Sequence, residues 1–202
     1  MRKTLALFAI VASNLGAQDN TLDLRVAELD RHGDVVYQNF IYARSLAGGR
    51  FVAQANYLRL DGGDYNEGAA ALGVRFARLG DITFYALAGV GKATDATYAE
   101  PAVLALDTKG KFTGSLYVQR YVAINDAGTD QWLLDTIEGQ YALRGPLYLG
   151  AAVYAYRADG TDWFTRAGPK IGATDKHGAT EVRVTRSTRY SPQLQLRRIV
   201  LF

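Results

Sequence analysis

The chain has no cysteine among its 202 residues, one methionine, two histidines and two tryptophans. Without cysteine there is neither a disulfide framework nor a thiolate metal site, so stability has to come from burial and closure of the fold. A zinc or copper centre would need at least one carboxylate beside both histidines. His32 and His177 instead stand in the turn-like stretches RHGD and DKHG. No serine lies within four positions of either histidine, so no base–nucleophile pair is in view. Neither a metal, a cofactor nor a catalytic residue is expected, and the chain does not read as an enzyme. Asp61-Gly62-Gly63-Asp64 has the composition of a calcium loop but not its 12-residue ligand order. Also missing is any apolar run near the roughly 20 residues that a membrane helix requires. A mean hydropathy of −0.09 beside 49% hydrophobic residues fits a surface that is apolar at alternate positions.

The amino end carries the one helix-like apolar run. Arg2 and Lys3 precede Thr4 to Ala12, and the small residues SNLGA follow, the pattern of a secretory signal cut after Ala17. Residues 1–17 are therefore expected to be a leader and 18–202 a single exported domain, with no lipoprotein anchor because no cysteine follows the cut. Charge is unevenly spread. Gln18 to Gly139 carries 11 basic and 16 acidic residues; Gln140 to Phe202 carries 10 basic and 4 acidic. With no aromatic–basic cluster on one surface, nucleic acid is not an expected partner.

After the leader no 3.6-residue periodicity lasts beyond two turns. Runs of about ten residues with period-2 alternation are separated instead by Gly, Asp and Asn. Twelve such runs fall at 21–30, 35–47, 50–60, 67–78, 82–93, 99–107, 111–124, 131–143, 146–157, 162–173, 179–187 and 192–202. The sixth and eleventh are the least regular, and ten is the alternative count. Breaks after even-numbered runs are tight, such as Leu79-Gly80-Asp81. Those after odd-numbered runs are longer, such as Thr94 to Tyr98 and Asn125 to Asp130. Tyrosine (13) and glycine (21) are abundant, as aromatic girdles and many turns would need.

The final run, QLQLRRIVLF, alternates to the last residue and ends on Phe202. A soluble domain rarely ends in a long apolar strand, because chain ends fray and open edges aggregate. A closed barrel pairs that strand with the first. The terminal Phe202 on an alternating strand resembles the closing strand of Gram-negative outer-membrane β-barrels. In those proteins it is similar to the signal read by the barrel-assembly machinery. The resemblance implies a closed antiparallel up-and-down transmembrane β-barrel in the outer membrane, in contact with its lipid.

Two residues depart from the pattern. Arg120 interrupts the outward face of the seventh run and Arg198 that of the twelfth. A charge facing lipid costs about 2–4 kcal/mol at the bilayer midplane and far less near an interface. Either these arginines reach an interface, or a bulge re-phases the strand, or the chain is a soluble secreted β domain.

Alternation turns Glu138, Tyr148, Tyr154, Arg166, Lys170, Arg183, Arg197 and, further round, Arg75 inward. Charges on a lumen wall stay in water and attract solutes of opposite sign. Size and charge resemble the small twelve-stranded porins for acidic oligosaccharides, which implies a narrow passive channel for small, anionic solutes. Alternatively the charges pair with one another and fill the lumen, giving a structural or loop-displaying barrel. A lipid-modifying barrel enzyme is the third reading.

Overall fold

The computed structural model describes residues 20–29, 35–60, 65–187 and 192–202. The leader region, His32, the 61–64 stretch and Ser191 lie outside the described residues. Twelve strands run in chain order: β1 Asn20–Leu29, β2 Val35–Leu46, β3 Phe51–Leu60, β4 Asn66–Leu79, β5 Ile82–Ala93, and β6 in two pieces, Ala96–Ala99 and Ala102–Lys109. There follow β7 Phe112–Ala123, β8 Gln131–Ala142, β9 Leu147–Ala158, β10 Phe164–Asp175, β11 Gly178–Ser187 and β12 Gln193–Leu201. Each pairs antiparallel with its neighbours in sequence. β1 and β12 pair from Thr21↔Leu201 to Leu29↔Leu194, which closes the sheet into a barrel.

The two pieces of β6 are one strand. Val90↔Ala99 and Leu87↔Ala102 hold a single register on β5, and Ala99↔Val122 and Ala102↔Gln119 hold one on β7. The interruption is Pro101, which has no N–H for the ladder; its carbonyl still accepts from the Arg120 N–H at 3.0 Å. β6 therefore begins at Ala96 and not at residue 99. The expected loop from Thr94 to Tyr98 shrinks to Thr94–Asp95. The physical reason is packing: Ala96 and Tyr98 are buried, and Tyr98 meets the Tyr121 ring edge-on at 5.5 Å, so the chain stays extended.

The connections after β4 and β6 are two-residue turns in which Gly80 and Gly110 adopt φ of 59°, a left-handed conformation open to glycine at little cost. At the opposite end, Ile124–Asp130 and Asp159–Trp163 form longer loops. The barrel thus has a turn end and a loop end.

Alternation holds along most strands. On β9, Leu147, Leu149, Ala151 and Val153 are exposed outward while Tyr148 and Ala152 are buried inside. Leu72, Phe76, Val90, Ile137, Ile171 and Leu196 join the exposed outer face. Outward aromatics gather at both ends: Phe51, Phe76, Phe112, Tyr141 and Phe202 towards the turns, Tyr57, Trp132 and Trp163 towards the loops.

Both departing arginines stand at the rims. β7 keeps its phase, with Thr113, Ser115, Tyr117, Gln119 and Tyr121 buried, so Arg120 does face outward. It lies at the loop end, 2.9 Å from Asp130 and 3.3 Å from Asp159, over the Trp132 ring at 4.8 Å. Arg198 lies at the turn end, where its two terminal nitrogens bond Asp175 at 2.7 and 3.1 Å and one of them also bonds the Thr180 hydroxyl at 2.9 Å. At the rims these charges avoid the midplane cost, so they no longer favour a soluble domain.

Candidate functional site: the barrel interior

Six of the inward positions towards the turn end carry charge. Glu138 on β8 is the hub. It accepts from Lys170 Nζ at 2.5 Å, from Arg183 at 2.7 Å and from Arg197 at 3.0 and 3.2 Å. Glu181 accepts from Lys170 at 3.0 Å, from Arg197 at 3.4 Å and from Arg183 Nε. Asp23 on β1 takes a two-pronged bond from Arg197, with Nε at 2.9 Å and a terminal nitrogen at 2.8 Å. Three cations meet three carboxylates, and no side chain of the six is more than 3% exposed. Burying such groups is costly unless each is paired and its remaining donors and acceptors are met. In this network each of the six groups is paired with at least one of opposite charge.

Tyr148 completes the cluster. Its hydroxyl donates to Glu181 at 3.3 Å, and its ring lies across Gly172 on β10. A Cβ at Gly172 would stand 2.2 Å from the ring, so only glycine admits the tyrosine there. Next to this cluster Ile41, Val52, Tyr85, Leu104, Ile199 and Leu201, from β2, β3, β5, β6 and β12, form a buried apolar cluster, with the Tyr85 hydroxyl bonded to the Gly49 carbonyl at 3.0 Å. The ionic and apolar clusters both lie in the turn-end half of the interior.

Among the described residues, the loop-end half is less filled. A chamber of about 600 Å³, including its mouth, is lined by side chains of β2, β3, β4, β7, β8 and β9 with Glu100 of β6. Two acidic residues reach it by different routes. Glu100 sits beside Pro101; Gln119 donates to its Oε2 at 2.7 Å. Asp135 faces inward because β8 bulges at Thr136: Ser115↔Glu138 and Val118↔Leu134 differ by one residue, so Asp135 and Glu138 lie on the same side. Above the chamber, Glu67 accepts from the Tyr65 and Tyr121 hydroxyls at 2.8 and 2.9 Å. Burial first, and then Glu67, push the Tyr65 hydroxyl well above its ordinary range, so it remains a donor. On the rim, the Ala123 N–H and then Arg120 hold the Asp130 carboxyl below the usual carboxylate range.

Of the residues expected inside, Glu138, Tyr148, Lys170, Arg183 and Arg197 come together in the cluster. Tyr154 lines the loop-end chamber and Arg166 lies over its ring at 5.1 Å, away from the cluster. Arg75 is not brought to them. It is exposed at the turn end, where β4 bulges between Arg75 and Ala77. Phe202 faces outward against Tyr42, ring centroids 6.4 Å apart. His177 is exposed in the turn after β10. Sequence reasoning did not single out Asp23, Glu67, Glu100 or Asp135 as interior acids. For Asp23 a signal existed, since it alternates with Leu22 and Leu24.

No family model matches the chain, and no characterised protein matches it by sequence. Its fold does match solved structures. A "KdgM porin" superposes with a TM-score of 0.66 at 11% identity, covering 90% of this chain and 99% of that one. A second structure, "KdgM porin in complex with disordered oligogalacturonate", gives the same values. A structure described as "porin refined at 1.8 angstroms resolution" gives 0.50 at 12% identity, over 95% of this chain and 74% of that one. The chain is a porin-like, closed, twelve-stranded antiparallel β-barrel.

Proposed function

We propose that the chain is an outer-membrane β-barrel that passes small polar solutes by diffusion, with the six-residue ion-pair cluster as its constriction. One observation carries this reading: large apolar side chains face outward while carboxylates, guanidiniums and amides face the enclosed interior. A water-soluble barrel distributes them the other way, and a membrane-spanning one that admits polar solutes needs this arrangement. The outward aromatics at both ends fit the two interfaces of a bilayer. A preference for anions has weaker support than the basic residues alone implied. Lys170, Arg183 and Arg197 are each matched by a carboxylate, so the constriction carries no net charge.

The burial of that cluster favours a second reading, a structural barrel sealed at its turn end. Planar-bilayer recording separates the two. A channel gives discrete, small and infrequent steps, because each passage requires the cluster's ion pairs to exchange partners. Silence from the wild type and from Glu138→Gln alike would leave the sealed barrel.

A further inference from the structure

Charge is unequally placed between the two ends of the barrel. At the turn end Arg44, Arg50, Lys109, Lys111, Arg144 and Lys176 are all exposed, and none of them pairs with a carboxylate among the described residues. Arg75 and Arg78 are exposed there too. The described acids of that zone are Asp81, Asp107 and Asp175, and Asp175 is already held by Arg198. The loop end has no such excess among the described residues. There Arg120 is held by Asp130 and Asp159, and Asp95, Asp126 and Asp162 offset the other exposed bases.

Three turns bring four of these bases side by side. The Ala142 N–H bonds the Lys111 carbonyl at 2.8 Å, which sets the β6–β7 turn beside the β8–β9 turn. The Thr174 N–H bonds the Pro146 carbonyl at 2.9 Å, which sets the β8–β9 turn beside the β10–β11 turn. Lys109 and Lys111 flank the first turn, Arg144 stands on the second and Lys176 on the third. Directly above this arc the outward side chains are Phe112, Tyr141 and Leu147, each between 44% and 51% exposed. Further round, the Arg50 guanidinium lies over the outward Phe51 ring at 5.5 Å. Rings backed by bases match the interface of an anionic leaflet, with aromatics at headgroup level and cations in the phosphate layer. The bases follow the barrel wall beside its apolar belt and do not gather in one patch, which fits lipid better than a docked acidic protein.

We infer that the turn-end collar binds the headgroups of anionic phospholipids in the leaflet it stands in, most densely along Lys109, Lys111, Arg144 and Lys176. Such binding rests on the membrane-spanning reading above but does not require conduction. The test is electron spin resonance of the refolded full chain in phosphatidylcholine vesicles, with spin-labelled phosphatidylglycerol or phosphatidylcholine as the probe. Lipid held against a barrel is motionally restricted, so a restricted probe of either kind reports insertion and the ratio of the two reports preference. Phosphatidylglycerol should be favoured about twofold or more, averaged over both leaflets, at low salt. The preference should fade at about 1 M salt, where exposed charges are screened within about 3 Å. Replacing Lys111, Arg144 and Lys176 together by glutamine should remove most of it. The same change at the outward loop-end bases Arg59, Lys92 and Arg186 should leave it in place. Should the turn-end triple variant fail to fold, Lys111→Gln and Lys176→Gln singly should each lower the preference. Equal restriction of the two probes by the wild type would overturn the assignment and leave the collar to an acidic macromolecular partner. A preference lost equally in the loop-end variant would overturn it as well. No restricted lipid of either kind would overturn it together with the membrane-spanning reading.

Discussion

Replacing Glu138 by glutamine probes the cluster at its most connected point. The wild-type network holds three positive and three negative groups, and Glu138 touches all three cations. The amide keeps the side chain's shape but removes its charge, leaving an excess positive charge in a space that water does not reach. Breaking a buried ion pair from one side costs about 3–5 kcal/mol when the site stays dry. The barrel has a less costly response, because loosening the cluster lets water in from the chamber above and rehydrates the cations. The measured loss should then fall at or below the lower end of that range. The difference should appear as conductance.

Two measurements on one variant therefore answer together. Urea unfolding in micelles, followed by Trp132 and Trp163 fluorescence, gives the stability loss. Planar-bilayer recording gives the opening, expected to be more frequent than in the wild type and newly selective for anions. The charge-balanced double change Glu138→Gln with Lys170→Met should recover part of the stability, with a coupling of about 0.5–3 kcal/mol between the two sites. A single variant that loses under about 1 kcal/mol and shows unaltered conductance would refute the reasoning, since the charges would then already be solvated.

Other outcomes follow from the same geometry. Gly172→Val should push the Tyr148 ring off its bond to Glu181 and cost about 1–3 kcal/mol, as overpacked interiors do, measurable in the same unfolding assay. Phe202→Ala should slow barrel assembly in cells while leaving the purified, folded barrel nearly as heat-resistant as before. Phe202 is exposed and meets only Tyr42 in a ring contact among the described residues. The lowered Asp130 carboxyl contributes its stabilisation in full above the ordinary aspartate range of about 4 and loses it only as pH falls through the lowered value. Hydrogen exchange at the Ala123 amide should thus, after allowance for its intrinsic pH dependence, stay protected from pH 7 to about 4 and accelerate below that in the wild type. In Asp130→Ala, which removes the acceptor, it should already be fast at pH 7.

Most of the strand plan was legible, because period-2 alternation with glycine punctuation is a local signal. The start of β6 was not. Pro101 interrupts the run and small alanines give little contrast between faces, while the burial of Tyr98 against Tyr121 is a tertiary fact. Inside the barrel, the cluster's basic residues were readable since β10, β11 and β12 keep phase. Asp135 was hidden by the bulge at Thr136, which moves it from the outward to the inward face. Glu67 and Glu100 border a loop and a proline, where polarity looks like solvent exposure. Which acid meets which base was beyond reach, because it depends on the stagger between strands far apart in sequence.

The uneven charge along the chain acquires a meaning at the seam. Acid is concentrated before residue 140 and base after it, and the barrel closes by laying β1 against β12, so Asp23 meets Arg197 across 174 positions. Arg197 and Arg198 are consecutive and point to opposite faces, one to the interior cluster and the other to Asp175 on the turn-end rim. A slip of one residue in β12 would exchange them. Arg197 would then turn outward into the apolar belt, Asp23 would be buried without its cation, and Asp175 would lose its two-pronged partner. A slipped strand gains no apolar contact to offset these losses, because it would turn Gln193 and Gln195 outward in place of Leu194 and Leu196. In the closing strand the outward face carries Leu194, Leu196, Val200 and Phe202 and the inward face Gln193, Gln195, Ile199 and Leu201, so hydrophobicity and the paired arginines select the same register.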